Sequence, residues 1–179
     1  MQIGSIIRRA ALQYKDAPCI TEGDRTLSFR DFDAATDRLG NALIAKGLNP
    51  GDRVAVLLPN STECMIAYYA ILKAGLVRVQ LNVKETLDTH LHKLEASQSR
   101  CVIHDGIDGL STEIQIQLPE LLEMIEKGEQ KSCAVDRDLD APLRFAFTGG
   151  TTGKSKVVVL TTRSDLVGIN VFLADLIPE

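Results

Sequence analysis

Apolar residues along this chain recur with helical spacing in some stretches and run contiguously in others, and the two patterns alternate. Phe32, Ala35, Leu39 and Leu43 recur every three or four positions, which sets them on one face of a helix running from Ser28 to Gly47. Ser28 with Asp31 three residues on forms a capping pair at its start, and Gly47 supplies a left-handed residue at its end. "LNPGDR" then makes a turn, and the contiguous run "VAVLL" (Val54–Leu58) reads as a strand covered on both faces.

A second unit repeats the pattern. Asn60 and Glu63 form the next capping pair, "CMIAYYAILKA" is apolar almost all round and so must be buried on several sides, and Gly75 ends it. "LVRVQL" (Leu76–Leu81) follows as a strand. Thr86–Ser97 reads as a helix with Leu87, Leu91 and Leu94 facing inwards, and "RCVIH" (Arg100–His104) as a third strand. Strand, helix, strand, helix, strand at this spacing predicts right-handed βαβ crossovers, hence an α/β fold with a mainly parallel sheet and flanking helices. Beyond "DGIDG", "EIQIQL" alternates like a half-exposed strand and "PELLEMIEKG" reads as a short helix with Pro119 in its first turn. "EQKSCAVDRDLDAP" reads as an irregular polar connection. No internal repeat or low-complexity tract interrupts this order.

Length and composition narrow the class. With 179 residues, 45% of them apolar and 25% charged, the chain suffices for one domain with a substantial core, or one domain and part of another. A net charge of −4 with dispersed basic residues gives no electrostatic ground for nucleic acid, and no apolar run approaches the roughly 18 residues of a membrane span. The start, "MQIGSIIRRAALQY", has two arginines and no acid before Asp16, as mitochondrial presequences do, yet Ile3, Ile6, Ile7 and Ala10 equally make one face of a short packed helix. Cys19, Cys64, Cys101 and Cys133 are too far apart for metal or redox spacing and read as reduced, mostly buried thiols of a cytoplasmic protein.

His90 and His92 lie two apart on a helix and cannot chelate one ion together; His104 beside Asp105 sits better, at the end of a strand, but no nucleophile is paired with it in sequence. Glu120, Glu123, Glu126 and Glu129 form a solvated helix face.

The stretch richest in chemistry is "FTGGTTGKSK", Phe147–Lys156. It departs from a Walker A loop, which leaves a P-loop NTPase as a disfavoured third reading, because the glycine that GxxxxGK[ST] requires falls on Thr148, and because Val157–Leu160 continue as a strand rather than a helix. The loop therefore joins two strands, "RFAF" (Arg144–Phe147) and "VVVL". A Gly/Thr-rich hairpin tip can bind phosphate through backbone N–H groups and hydroxyls.

Thr148-Gly149-Gly150-Thr151-Thr152-Gly153-Lys154-Ser155-Lys156 resembles the phosphate-loop signature of the adenylate-forming (AMP-binding) superfamily, which includes acyl-CoA synthetases, luciferases and the adenylation domains of peptide synthetases. "LSFRDFDAATDRLGNALIAKGLNPGDRVAVLLPNSTECMIAYYAILKAG" is similar to that family's N-terminal helix, strand and helix, and "VQLN" to the stretch after its next strand. The likeness is weakest from Gly106 to Ala141. Gly149 stands where Ser is common, Ser155 where Pro is common, Val157 where Gly is common and Thr162 where His is frequent.

The resemblance is strongest to acyl-CoA synthetases of the kind found in fatty acid metabolism. It implies a parent enzyme in which a carboxylate attacks the α-phosphate of ATP to give an acyl-adenylate, after which coenzyme A displaces AMP. On this reading Thr148, Gly149, Gly150, Thr151, Thr152, Gly153 and Lys156 hold the phosphates, Lys156 is the catalytic cation, and Thr152 is the hydroxyl on Mg2+. Residues 1–141 form an N-terminal α/β subdomain and 142–179 the phosphate-loop hairpin with the start of the next subdomain. The aromatic and Thr-Glu motif, the ribose-holding acid and the C-terminal lysine of the family are absent, so the 179 residues read as an inactive N-terminal fragment of a ligase; a truncated interaction module is the alternative. The apolar run Val157–Leu160 and the apolar residues Val167, Ile169, Val171, Phe172 and Leu173 lead us to expect a homodimer of the fragment.

Overall fold

The computed structural model describes residues 3–149 and 155–168. In chain order the elements are α1 (Ile3–Tyr14), β1 (Pro18–Glu22), β2 (Arg25–Ser28), α2 (Phe29–Ala45), β3 (Arg53–Leu57), α3 (Thr62–Lys73) and β4 (Val77–Gln80). They continue with α4 (Leu87–Ser97), β5 (Cys101–His104), β6 (Ile114–Gln117), α5 (Leu118–Lys127), β7 (Pro142–Phe147) and β8 (Val157–Thr161). Residues 162–168 are helical.

Six strands form one sheet in the order β6-β5-β3-β4-β7-β8. Every neighbouring pair is parallel except the last, where β8 runs antiparallel to β7 and closes the hairpin. The mainly parallel α/β architecture read from the sequence is thus the one observed. β1 and β2 form a separate antiparallel hairpin around Gly23 and Asp24, with the Thr21 and Thr26 hydroxyls 3.1 Å apart across it. The sequence reading missed this hairpin, whose turn signal is the dipeptide Gly23-Asp24 between two short alternating runs.

Helices cover both faces of the sheet. On one face, α2, α3 and α5 bury Leu39, Leu43, Ile66, Ile71 and Leu121 against Val54, Val56, Ile103 and Ile116. On the other, Leu94 of α4 meets Ala55, Leu57, Val79 and Val102. Since β3 feeds α3 on the first face and β4 feeds α4 on the second, the chain changes direction between β3 and β4. At such a switch point the loops leaving the carboxyl ends of two adjacent strands part and leave a crevice.

Local sequence accounts for most boundaries. The Ser28 hydroxyl accepts from the Asp31 N–H and starts α2 as expected. Gly47 and Gly75 take φ of +89° and +72°, which ends α2 and α3 with little of the steric cost a side chain would bring. Gly75 has a second reason to be glycine, since a Cβ there would sit 3.1 Å from Val135 Cβ in the connection that crosses it.

Two expectations are corrected. The cap of α3 is Ser61, not Asn60: its hydroxyl accepts from Cys64 N–H, while Glu63 turns away to pair with Arg25. Leu87 does not face the core, being 40% exposed; it lies over Gly109, and the inward face of α4 is made by His90, Lys93 and Leu94. The connection 128–141 is irregular, as read, but firmly held. Asn41 donates to the carbonyls of Glu129 and Lys131, and Asp37 accepts from the Cys133 N–H.

Candidate functional site

Phe147 and Val157 are the last partners in the β7–β8 ladder, and the segment between them leaves the carboxyl end of β7. Its base is closed twice. Thr148 N–H donates to the Lys156 carbonyl at 3.0 Å, and Lys156 N–H donates to the Thr148 hydroxyl at 3.1 Å. Thr148 and Lys156, eight residues apart in sequence, are therefore neighbours in space, and the Thr148 O–H still has its proton to donate outwards.

The Lys156 side chain is exposed and has no ion pair or hydrogen bond with any described residue, so its charge is free to meet an incoming anion. At Gly149 an added Cβ would meet nothing within 4 Å, so the chain is open to solvent there. Gly150, Thr151, Thr152 and Gly153, to which the sequence assigns phosphate and Mg2+ contacts, lie outside the described residues. So do Lys154 and the apolar residues from Ile169 onwards.

The loop base leans on the sheet through α4. His92 Nε2 lies 3.2 Å from the Ser155 carbonyl and donates to it, and Lys93 sits over the Phe147 ring, 4.9 Å from its centroid. Lys93 is held in turn by Glu85, 2.5 Å away. His90 and His92 do point apart, as their spacing requires: His90 Nε2 approaches the Asn82 carbonyl at 3.0 Å. His104 is buried, its Nδ1 accepts from the Ile107 N–H, and burial pushes its pKa below the ordinary histidine value. Among the described residues no group of three or more His, Cys, Asp or Glu is placed to hold a metal, and no helix is long and apolar enough to cross a membrane. All four cysteines are free, three of them buried, and burial pushes the thiols of Cys101 and Cys133 up to about 12.

Beside the loop base lies a cleft of about 600 Å³, in the range of small-molecule sites. It is lined by Leu58–Asn60 after β3, by Gln80–Glu85 after β4, by the end of β7, and by Tyr68, Arg78 and Lys93. This is the crevice that the switch between β3 and β4 creates. The sequence reading took "LVRVQL" as a plain strand and missed Arg78. The signal was there, because a cation in the middle of an otherwise apolar buried run conflicts with its surroundings unless it has work there.

Comparison with known proteins agrees with this geometry. Residues 7–172 match the family described as AMP-binding enzyme. The chain is 31% identical over 158 residues to 2-succinylbenzoate–CoA ligase of Bacillus subtilis, covering 87% of this chain and 32% of that protein. It is 30% identical over 171 residues to surfactin synthase subunit 1 of the same organism, covering 91% of this chain and 4% of that protein. Among solved structures, the inhibitor-bound N-terminal domain of FACL13 from Mycobacterium tuberculosis superposes with a TM-score of 0.83 at 27% identity, over 90% of this chain and 44% of the other. The chain spans at most about a third of the length of the curated relatives it matches. With its sheet, its loop position and the match over residues 7–172 in agreement, the chain belongs to the family of AMP-binding enzymes.

Proposed function

We propose that this chain is the N-terminal part of an ATP-dependent, AMP-forming acid–thiol ligase, which activates a carboxylic acid as its acyl-adenylate and passes the acyl group to coenzyme A. The observation that carries the reading is the placement of Thr148 and Lys156. A free ammonium and a hydroxyl stand side by side at the root of a Gly/Thr loop, at the carboxyl edge of a parallel sheet. Relatives of this chain include CoA ligases and peptide synthetases, so the thiol acceptor is the finer part of the proposal.

In this reading Lys156 meets the negative charge that builds on the departing pyrophosphate. The N–H groups of Gly149, Gly150 and Gly153 and the hydroxyls of Thr148, Thr151 and Thr152 share it, each donor acting where charge develops rather than where it rests. Mg2+, which characteristically binds through phosphates with few protein ligands, would be held with ATP by the Thr152 hydroxyl and would neutralise phosphate charge. The hydrogen bonds that tie Thr148 to Lys156 fix the lysine relative to the loop, and His92 fixes the loop's far side relative to α4. We place the start of the parent's next subdomain at residue 142. The free thiols suit a reducing, cytoplasmic compartment.

Lys156→Ala in the full-length parent is expected to lower the rate of adenylate formation roughly 10- to 1000-fold, as loss of one donor to a developing charge does, with the fold intact. ATP–pyrophosphate exchange measures it, and exchange at the wild-type rate removes Lys156 from the site. Thiol transfer assayed with coenzyme A and with a carrier-protein thiol decides the acceptor. Residues 1–179 by themselves are expected to give no exchange, and light scattering tests the homodimer expected from the exposed β8.

A further inference from the structure

Arg78 lies in the middle of β4, between the buried residues Val77 and Val79, with its guanidinium carbon 4.4 Å from the centre of the Tyr68 ring. Its Nε is buried and has no hydrogen-bond partner, and the side chain donates to no described residue. Burial holds this arginine below its ordinary pKa, and the nearby charge of Arg144 acts in the same direction. Arg144 is its register partner across the parallel β4–β7 ladder, so both side chains leave the same face of the sheet.

Among the described residues, Asp165 is the carboxylate whose charge reaches both arginines. Asp165 accepts two hydrogen bonds from Arg144, at 2.8 and 2.9 Å, and is hydrogen-bonded to no other described residue. Arg78, by contrast, has among the described residues the face of an aromatic ring and no hydrogen-bond partner. Other charges around the cleft do not repair this. Glu85 pairs with Lys93 through Oε1 while its Oε2 is buried without a hydrogen-bond partner among the described residues, and Lys84 at the rim is exposed with no ion pair among the described residues. A guanidinium always carries its charge and presents five donors in a planar fork; at Arg78 the Nε–H is the one buried without a partner, and leaving it so is costly. The shape that satisfies such a fork is a planar or tetrahedral oxyanion, and the cleft beside it has room for a small molecule.

We propose that the crevice between β3 and β4 is a binding site for a small-molecule oxyanion, a carboxylate or a phosphate, anchored by Arg78 and assisted by Lys84. The site borders the loop base at Phe147 but its lining does not include Thr148 or Lys156, and the inference stands without the ligase reading. Tyr68 packs one face of the Arg78 guanidinium and leaves its edge for the ligand. The switch of the chain between β3 and β4 opens the crevice above it.

Direct binding to the chain tests this without turnover. Isothermal titration with inorganic phosphate, with acetate and with succinate is expected to show saturable binding of at least one probe at one site, and the probe that binds identifies the source of the oxyanion. Arg78→Gln is expected to weaken that binding by about tenfold or more, as loss of a charged hydrogen-bond donor does. Arg78→Lys is expected to weaken it less, and Lys84→Gln by a few-fold, while Lys127→Gln on the distant α5 leaves it unchanged. The Arg78 Nε–H signal, followed by 15N-edited NMR in the wild-type chain, is expected to shift with the same saturation curve, which keeps the test valid if Arg78→Gln fails to fold. No saturable binding by any probe overturns the proposal. So does binding that survives Arg78→Gln and is lost in Lys156→Ala, which belongs to the loop.

Discussion

Val54–Leu57 and Val157–Leu160 are almost the same sequence, VAVL and VVVL, yet one is wholly buried and the other among the more open. Every residue of the first is at most 1% exposed, whereas Val158 and Val159 are 39% and 51% exposed. The difference lies in position in the sheet. β3 sits between β5 and β4 with helices packed on both faces, while β8 is the last of the described strands and among them has a ladder on one side only. An apolar run therefore reports that a strand can be buried; the neighbours that arrive from elsewhere in the chain decide whether it is. The same rule governs charges. Lys73 is wholly buried in α3 because Asp33 and Asp37 meet it at 2.6 and 2.8 Å, whereas Lys156 stands in solvent with no described partner.

The strongest way to break this comparison is to remove the paired charge in the core. Lys73→Ala leaves two carboxylates buried, one of them still paired with Arg8 from α1, and is expected to cost about 3–5 kcal/mol of stability. Urea denaturation measures it, and adding Asp33→Asn and Asp37→Asn to the same chain is expected to recover part of the loss. A loss under half a kilocalorie, within the range of a surface substitution, would mean that the network is not desolvated as it stands.

A matched pair sharpens the comparison between the two valine runs. Val56→Thr keeps the shape of the side chain but buries a hydroxyl in the central strand, and is expected to cost about 1–3 kcal/mol. Val159→Thr makes the same change on the exposed face of β8 and is expected to stay within about 0.5 kcal/mol of the original. Equal costs at the two positions would show that β8 is covered in solution, by a second copy or by another part of the parent.

Much of the fold was legible because local chemistry and the hydrophobic period agreed. The α2 cap at Ser28, the stops at Gly47 and Gly75, and the contiguous strands each carry their own signal within a few residues. The errors fell where two local signals competed. Asn60 and Ser61 are both good caps, and the choice depended on Glu63 being drawn off by Arg25 from another hairpin. Leu87 fits the helical period of α4 as well as Leu94 does, but the first turn of α4 lies over the loop at Gly109 rather than over the sheet.

At the candidate site, the loop composition and the resemblance named the residues, and the ladder put Thr148 beside Lys156. Arg78 differs: its sequence signal, a cation inside an apolar run, marks it as unusual but does not say what it does. Its importance rests on a lack of partners, and a lack of partners cannot be read from the residues next to it.

By itself the sequence determined the order and kind of the main elements, the parallel character of the sheet, and the presence of a Gly/Thr loop between two strands. These follow from interactions within a few residues, namely side-chain period, caps and backbone dihedral preferences, together with the rule that short crossovers make parallel pairs. Only the tertiary structure decided that β3 is central and β8 an edge among the described strands, that Lys73 has two paired counter-charges while Arg78 Nε has no hydrogen-bond partner among the described residues, and that the loops after β3 and β4 part to form a cleft. Those outcomes depend on which strands become neighbours, through contacts between residues that lie tens of positions apart.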